Sequence, residues 1–365
     1  MGFAGEIIQM TGSMLKGDYF DFVMKNRLGD ALPVFTYHRV TNPLFKAHLE
    51  HLRRNGYRTL NTEEALQWLS NTASRPEKAV VLTLDDGLTE LYTVAYPLLR
   101  DYAMKAVAFL APAWIGRDGL VDWPQIQEMH RSGTVDFQAH SYFHSRIPIS
   151  PKIIDFFHPG YRYHQPWEVI QDSRGSEDRD YSLPDWGTPL YSSASGVSDE
   201  RRYVDDGGLA DQCVDYVKTH GGETFFRKAQ WRQKLRYVAR TYRNAYPSEE
   251  SYETTEEQAA RIRREVELPK KIIEEKLSDK EVTAFAYPFY ERSHTADTLL
   301  RQCGYRLVFG GMDINPSETI PDDGLAYLKR ITGDFVMRLP GEGRKALFRL
   351  LWAKATRRLT RGLEY

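Results

Sequence analysis

Two short segments of this chain carry the residue types that do chemistry. The first is Leu82-Thr83-Leu84-Asp85-Asp86-Gly87, in which adjacent carboxylates close an apolar run and glycine follows at once. Neighbouring anions at the end of a buried strand repel one another and lose hydration, so such a pair is kept where it holds a cation or moves a proton. A surface Asp-Asp-Gly turn is the plain alternative for the same letters. The second segment is His140-Ser141-Tyr142-Phe143-His144, directly after another short apolar run. That spacing brings two imidazoles to one side of a turn, a common arrangement for a pair of nitrogen ligands, although two loop histidines bonded to backbone read the same way. Both segments follow candidate strands, and in a barrel both face one rim. One aspartate with two histidines makes a three-ligand oxygen and nitrogen site with open positions, the pattern of a catalytic zinc-type centre.

These residues need a scaffold, and the apolar runs supply one. Seven of them read as strands, at 33–37, 79–84, 106–111, 134–138, 283–287, 305–309 and 326–331. Helical periodicity fills the gaps at 45–55, 62–70, 90–102, 123–132, 256–277 and 296–303. Such alternation predicts a mostly parallel sheet or barrel whose active site sits on the loops after the strands. It breaks at about 150–254, too long for a structureless loop, so an inserted subdomain is expected there. The chain has 365 residues and is 41% hydrophobic, which suffices for a sizeable core. Its 49 basic and 50 acidic residues leave a net charge of −1, so no overall field recruits nucleic acid. Two cysteines, Cys213 and Cys303, exclude a disulfide scaffold and a four-thiolate metal site. The first residues, MGFAGEIIQMTGSML, lack a basic start and a continuous apolar stretch, so no leader is expected and the working compartment is expected to be the cytoplasm.

The chain resembles the polysaccharide deacetylases, or NodB-homology domains. The resemblance rests on Tyr37-His38-Arg39-Val40, Thr83-Leu84-Asp85-Asp86-Gly87, Val135 to His144 and Phe285-Ala286-Tyr287-Pro288-Phe289, with Gly304-Tyr305 following. It covers roughly 31–150 and 256–335 and looks closest to the branch with a Tyr-Pro-aromatic third motif, which includes exported poly-N-acetylglucosamine deacetylases. It implies an α/β fold, a distorted (β/α)7 barrel, here with a large inserted subdomain. It also implies Asp85 as general base, and Asp86, His140 and His144 as ligands of one divalent ion, Zn2+ above all. The amide of Phe289 would be an oxyanion donor, and His38, Tyr287, Pro288 and Phe289 would meet the substrate. Ala286 stands where many relatives carry an arginine that steers the base, and the late Leu-x-His that supplies a general acid is absent.

The missing acid directs attention to the aromatic run Phe156 to Trp167. Its His158 and His164 are the first candidates for proton donation, with His158 favoured by the turn at Pro159-Gly160; His38 and His294 come next. Tyr161, Tyr163 and Trp167 either stack on a sugar ring or form a small core of the insertion. By regions, residues 1–30 read as an N-terminal extension, 31–335 as the interrupted barrel and 336–365 as a basic amphipathic C-terminal helix. Leu347, Phe348, Leu351 and Trp352 share one face of that helix, which either packs on the barrel or lies on an anionic membrane surface. The expected activity is metal-dependent removal of an N-acetyl or N-formyl group from an amino sugar in a nucleotide-linked, lipid-linked or small glycoside. The alternatives are a cyclic imide or ureide amidohydrolase and a non-catalytic glycan-binding protein.

Overall fold

The computed structural model describes residues 19–71, 75–171, 182–205, 207–247, 251–311, 316–317 and 319–361. Residues 1–18 of the expected N-terminal extension and 172–181 of the insertion therefore lie outside the described residues. In chain order the strands are β1 (Val34–Tyr37), β2 (Arg58–Thr59), β3 (Ala79–Asp85), β4 (Ala106–Leu110), β5 (Val135–Ala139), β6 (Arg146–Phe156), β7 (Pro189–Ser195), β8 (Tyr203–Val204), β9 (Ser251–Tyr252), β10 (Ala284–Ala286), β11 (Leu307–Gly310) and β12 (Ala326–Thr332). Contacts divide the chain into two compact units, one of Met1–Tyr142, Val266–Arg292 and Asp297–Tyr365, the other of Phe143–Glu265 with Ser293–Ala296.

The first unit is a closed parallel barrel. Its neighbours run β1-β12-β11-β10-β5-β4-β3, and β3 returns to pair with β1, so seven strands close the ring while β2 adds to β3 from outside. These seven are the seven strands read from the sequence. Parallel strands buried on both faces need continuous apolar runs, and β3 and β4 are buried at every position. Val34, Val81, Val107, Phe109, Leu307 and Phe309 fill the interior with a packed core. Reciprocal capping boxes start two of the outer helices. Asn61 with Glu64 opens Thr62–Ser70, and Asp122 with Gln125 opens Trp123–Arg131.

The ring has one weak seam, where β10 meets β5 through the single pair Phe285 and Ala139. A side chain stitches the rest. The buried Gln138 amide oxygen accepts from the backbone N–H groups of Thr283 at 3.0 Å and Ala284 at 2.8 Å, while its nitrogen donates to Thr62 Oγ1 at 2.8 Å. Glutamine here stands in for the ladder that β10 is too short to make.

The second unit has its own core, with Phe156, Cys213, Phe225, Trp231 and Leu235 among its members, and an antiparallel pair, β6 with β7. A buried ion pair, Arg261 to Glu253 at 2.6 Å, ties its later part together. Sequence patterning anticipated a subdomain here but missed the hairpin, because β6 alternates buried and exposed positions irregularly.

The C-terminal helix Leu347–Arg361 corrects one expectation. Leu350 is its buried residue, whereas Phe348 and Trp352 are 70% and 77% exposed, so the aromatic face does not pack on the barrel. No helix among the described residues is long and apolar enough to cross a membrane.

Gln138→Leu should lower the unfolding free energy by about 2–4 kcal/mol, since it leaves two buried N–H donors unmet. Chemical denaturation with an unchanged m-value checks this.

Candidate active site

β3 ends on Asp85 and the chain turns sharply, with Asp86 at φ 72° and Gly87 at φ 70°. A side chain at position 87 would be doubly penalised, since its Cβ would lie 3.0 Å from Leu110 Cδ2 and 3.3 Å from Ile115 Cδ1. The glycine thus lets the chain fold back while both carboxylates stay buried. Among the described residues six non-glycines have positive φ, and five of them, Asp86, Ser141, His144, Phe289 and Tyr290, lie in the loops after β3, β5 and β10. Left-handed backbone costs on the order of 1–2 kcal/mol per residue, and such strain clusters where a site fixes side-chain direction.

The two carboxylates have different surroundings. Arg330, on β12, places Nη1 2.8 Å from Asp85 Oδ1 and 2.7 Å from Oδ2, with both side chains almost fully buried. The guanidinium carbon also lies 4.9 Å from the ring centre of Tyr290 and 5.7 Å from that of Phe109. His140 Nε2 is 3.7 Å and His38 Nε2 3.8 Å from Asp85 Oδ2. Burial pushes the Asp85 pKa up, but the Arg330 charge, with His140 and His38, outweighs it and holds the carboxyl below the usual range. Asp85 is therefore a fixed anion. The cation that pairs with Asp85 thus comes from β12, two strands away from Ala286 on β10.

Asp86, His140 and His144 are all buried, and each offers a ligand atom within 4.8 Å of the others. His140 Nδ1 lies 2.8 Å from the Ala286 carbonyl oxygen, which can only accept, so the proton sits on Nδ1 and Nε2 presents its lone pair. Burial lowers the His140 pKa to about 4, which keeps the ring neutral as a ligand must be. Nε2 is 3.6 Å from Asp86 Oδ1, close to the roughly 3.4 Å between two ligand atoms about 2.1 Å from one tetrahedral ion. His144 is turned by its φ of 54° and its ring stands 5.4 Å from that of Trp167. The donor set, its burial and its spacing fit one divalent ion.

Other expected residues fall differently. His38 reaches the Asp85 side of the site and is about a third exposed. Tyr287 is fully buried and donates to Asp297 Oδ1 at 2.7 Å, and Pro288 is buried too, so neither offers a substrate much surface; Phe289 is half-buried on its strained backbone. His158 is a packing residue of the second unit. Its ring stands 4.8 Å from Trp231, and its nitrogens meet Gly160 N–H at 3.1 Å and Arg232 Nη2 at 3.3 Å. His164 lies in the same unit and donates its backbone N–H to Glu168 at 3.2 Å. Tyr161 and Tyr163 pack against Phe157, Val169 and Leu190, and Trp167 is 1% exposed, which makes all three part of a small core. His294 begins a helix and donates its backbone N–H to Asp199 at 2.7 Å.

A closed seven-stranded parallel barrel with an Asp-His-His cluster and a second, arginine-held carboxylate at its strand ends defines an α/β-barrel protein with a candidate metal centre. Residues 72–177, which include all four of those site residues, match the family model for polysaccharide deacetylases. Over that segment, less than a third of the chain, the sequence is similar to the polysaccharide deacetylase, or NodB-homology, family. It is 36% identical over 124 residues to YxkH of Bacillus subtilis (strain 168), named there as a candidate polysaccharide deacetylase, covering 32% of this chain and 44% of that one. It is 32% identical over 106 residues to the poly-beta-1,6-N-acetyl-D-glucosamine N-deacetylase of Escherichia coli (strain K12), covering 25% and 16%. The aligned part thus spans less than half the length of these relatives. The solved de-N-acetylase of Aggregatibacter actinomycetemcomitans superposes with a TM-score of 0.52 over 83% of this chain and 95% of its own, at 18% identity, a likeness of fold.

Arg330 lies outside the matched segment, and its coupling to Asp85 is measurable. Arg330→Leu should destabilise the protein by about 3–5 kcal/mol near neutral pH by stranding a buried anion. Adding Asp85→Leu should recover most of that loss, and a thermodynamic cycle that came out additive would contradict the pairing.

Proposed function

We propose that this chain hydrolyses the N-acetyl, or N-formyl, amide of an amino sugar, with one divalent ion, zinc, held by Asp86, His140 and His144. The observation that carries the reading is the unequal fate of two adjacent buried carboxylates, one fixed as an anion by Arg330 and the other placed with two imidazoles. That division is what a base beside a ligand requires. It also weighs against a non-catalytic barrel, in which a second buried anion and its own arginine would be a cost without use.

A divalent ion at this site supplies Lewis-acid polarisation of an amide carbonyl and lowers the pKa of water. Asp85 Oδ2 accepts the proton of the attacking water, and Arg330 keeps that carboxylate ionised and aimed. The Phe289 N–H, on its strained backbone, donates to the oxyanion. His38 takes the part assigned at first to His158 or His164. Its imidazole stands beside Asp85 with an exposed side, from which it can hand a proton to the departing amine nitrogen.

The substrate we propose is an N-acetylglucosamine-type glycoside, lipid-linked, nucleotide-linked or small, handled in the cytoplasm at the membrane face. Support for the surface comes from the C-terminal helix, where Phe348 and Trp352 project outward beside Arg349.

Acetate release from N-acetylated glycosides should be lost with a chelator and restored by zinc. His140→Ala should empty the site by elemental analysis, while Asp85→Asn should keep the metal and lose at least about 10²-fold in turnover. His38→Gln should cost a similar factor with metal retained. Metal retained in Asp86→Asn and lost in Asp85→Asn would reverse the two roles. Binding to anionic vesicles should fall in the double variant Phe348→Ser/Trp352→Ser, measured by co-sedimentation, while acetate release from a soluble glycoside stays unchanged.

A further inference from the structure

Helix Trp231–Ala245, in the second unit, carries Arg232, Lys234, Arg236, Arg240 and Arg243 and no acidic residue, in a chain whose formal charge is −1. Trp231, Leu235, Val238 and Ala239 are buried in that unit's core, and all five cations are exposed. The arginines at 232, 236 and 240 follow one another at a turn's spacing, and Arg243 continues the row. At about 1.5 Å per residue the row is about 16 Å long, which suits a string of charges better than a single ion.

Like charges at this spacing repel one another and weaken the helix that bears them. The fold offsets little of that repulsion. Among the described residues Asp155 is the one carboxylate that pairs with the row, meeting Arg232 at 3.0 Å. Arg243 donates to the Pro151 carbonyl at 2.7 Å, an uncharged partner. Two aromatic rings lie open in the same stretch, Tyr237 at 62% and Tyr246 at 64% exposure. The Arg240 guanidinium carbon is 5.8 Å from the centre of the Tyr237 ring, so cation and ring share one surface. Tyrosine there offers a flat apolar face together with a hydrogen-bonding hydroxyl. A bilayer is a poor match, because Trp231, Leu235 and Val238 point into the core and leave no apolar wedge, unlike Phe348 and Trp352 of the C-terminal helix. Guanidinium forks instead pair bidentately with carboxylates in water.

We propose that this helix face binds an acidic glycan chain, one whose sugars carry carboxylates, with Arg236 and Arg240 pairing to the carboxylates and Tyr237 lying against a sugar ring. The cationic face stands by itself as a surface for a polyanion. The choice of a glycan among polyanions rests on the amide-hydrolase reading of the Asp85 site, and it narrows that site's substrate to a glycan with acidic sugars among its amino sugars.

The test is calorimetric titration of the full chain with three hexamers: a hyaluronan hexasaccharide, which alternates glucuronate with N-acetylglucosamine, a neutral N-acetylglucosamine hexasaccharide, and a thymidine hexanucleotide. Wild type is compared with Arg236→Gln/Arg240→Gln, Arg236→Lys/Arg240→Lys and Tyr237→Ser, and thermal melting shows whether each is folded. The acidic hexasaccharide should bind at least about tenfold more tightly than the neutral one, and the glutamine pair should remove that advantage. The lysine pair keeps the charge and loses the fork, so it should recover only part of the affinity. Binding of the acidic hexasaccharide should weaken as salt rises, and in Tyr237→Ser. Equal binding of the two hexasaccharides, or acidic-hexasaccharide affinity unchanged in the folded glutamine pair, would overturn the proposal. So would tighter arginine-dependent binding of the hexanucleotide or of phosphatidylserine vesicles. Arginine-dependent binding of the acidic hexasaccharide by a chain that releases acetate from none of the glycans would keep the face and remove the hydrolase reading instead.

Discussion

A carboxylate sealed inside a barrel must have a counter-charge, and here the Arg330 guanidinium supplies it to Asp85. Much else in the site follows from that pairing. It demands that β12 and β3 stand on the two sides of β1, which the closed strand order provides. It frees His140 from serving as a cation, so this ring stays neutral and turns a lone pair toward Asp86. Tyr290 lies against the same guanidinium, which gives a role to the left-handed turn at Phe289 and Tyr290.

Local chemistry made much of this legible from the letters alone. The barrel strands stood out because burial on both faces demands uninterrupted apolar runs. Asp85, Asp86, His140 and His144 stood out because each pair is close in sequence and follows such a run. Arg330 did not, for a physical reason. It lies 245 positions from its partner, and a Lys329-Arg330 pair near a chain's last strand reads as solvated charge rather than as a barrel interior. Only the closed ring, which sets β1 between β3 and β12, shows which strand supplies the cation for Asp85.

Where two readings stood open, packing decided. Of the two readings of Tyr161 and Trp167, the small core is the one the packing bears out, and His158 stands against Trp231 in the same unit, where rings and aliphatic side chains build the core together. Periodicity likewise grouped Phe348 with Leu347 and Leu351, but the side of the C-terminal helix that meets the barrel is set by Leu350, Lys354 and Arg357. A helical wheel gives spacing and leaves the direction of the neighbour open.

The pairing of the earliest functional carboxylate with one of the last strands also imposes an order of assembly. At about 5–20 residues per second, synthesis delivers Arg330 roughly ten to fifty seconds after Asp85. Through that interval the carboxylate has no guanidinium to meet, so it must stay hydrated or take up a proton, and the barrel interior cannot dry around it. Docking of β12 is then the event that closes the ring, expels water and fixes the anion together. The nascent chain reaches its functional charge state only when its fold is nearly complete, and any fragment ending before β12 loses the counter-ion along with the strand.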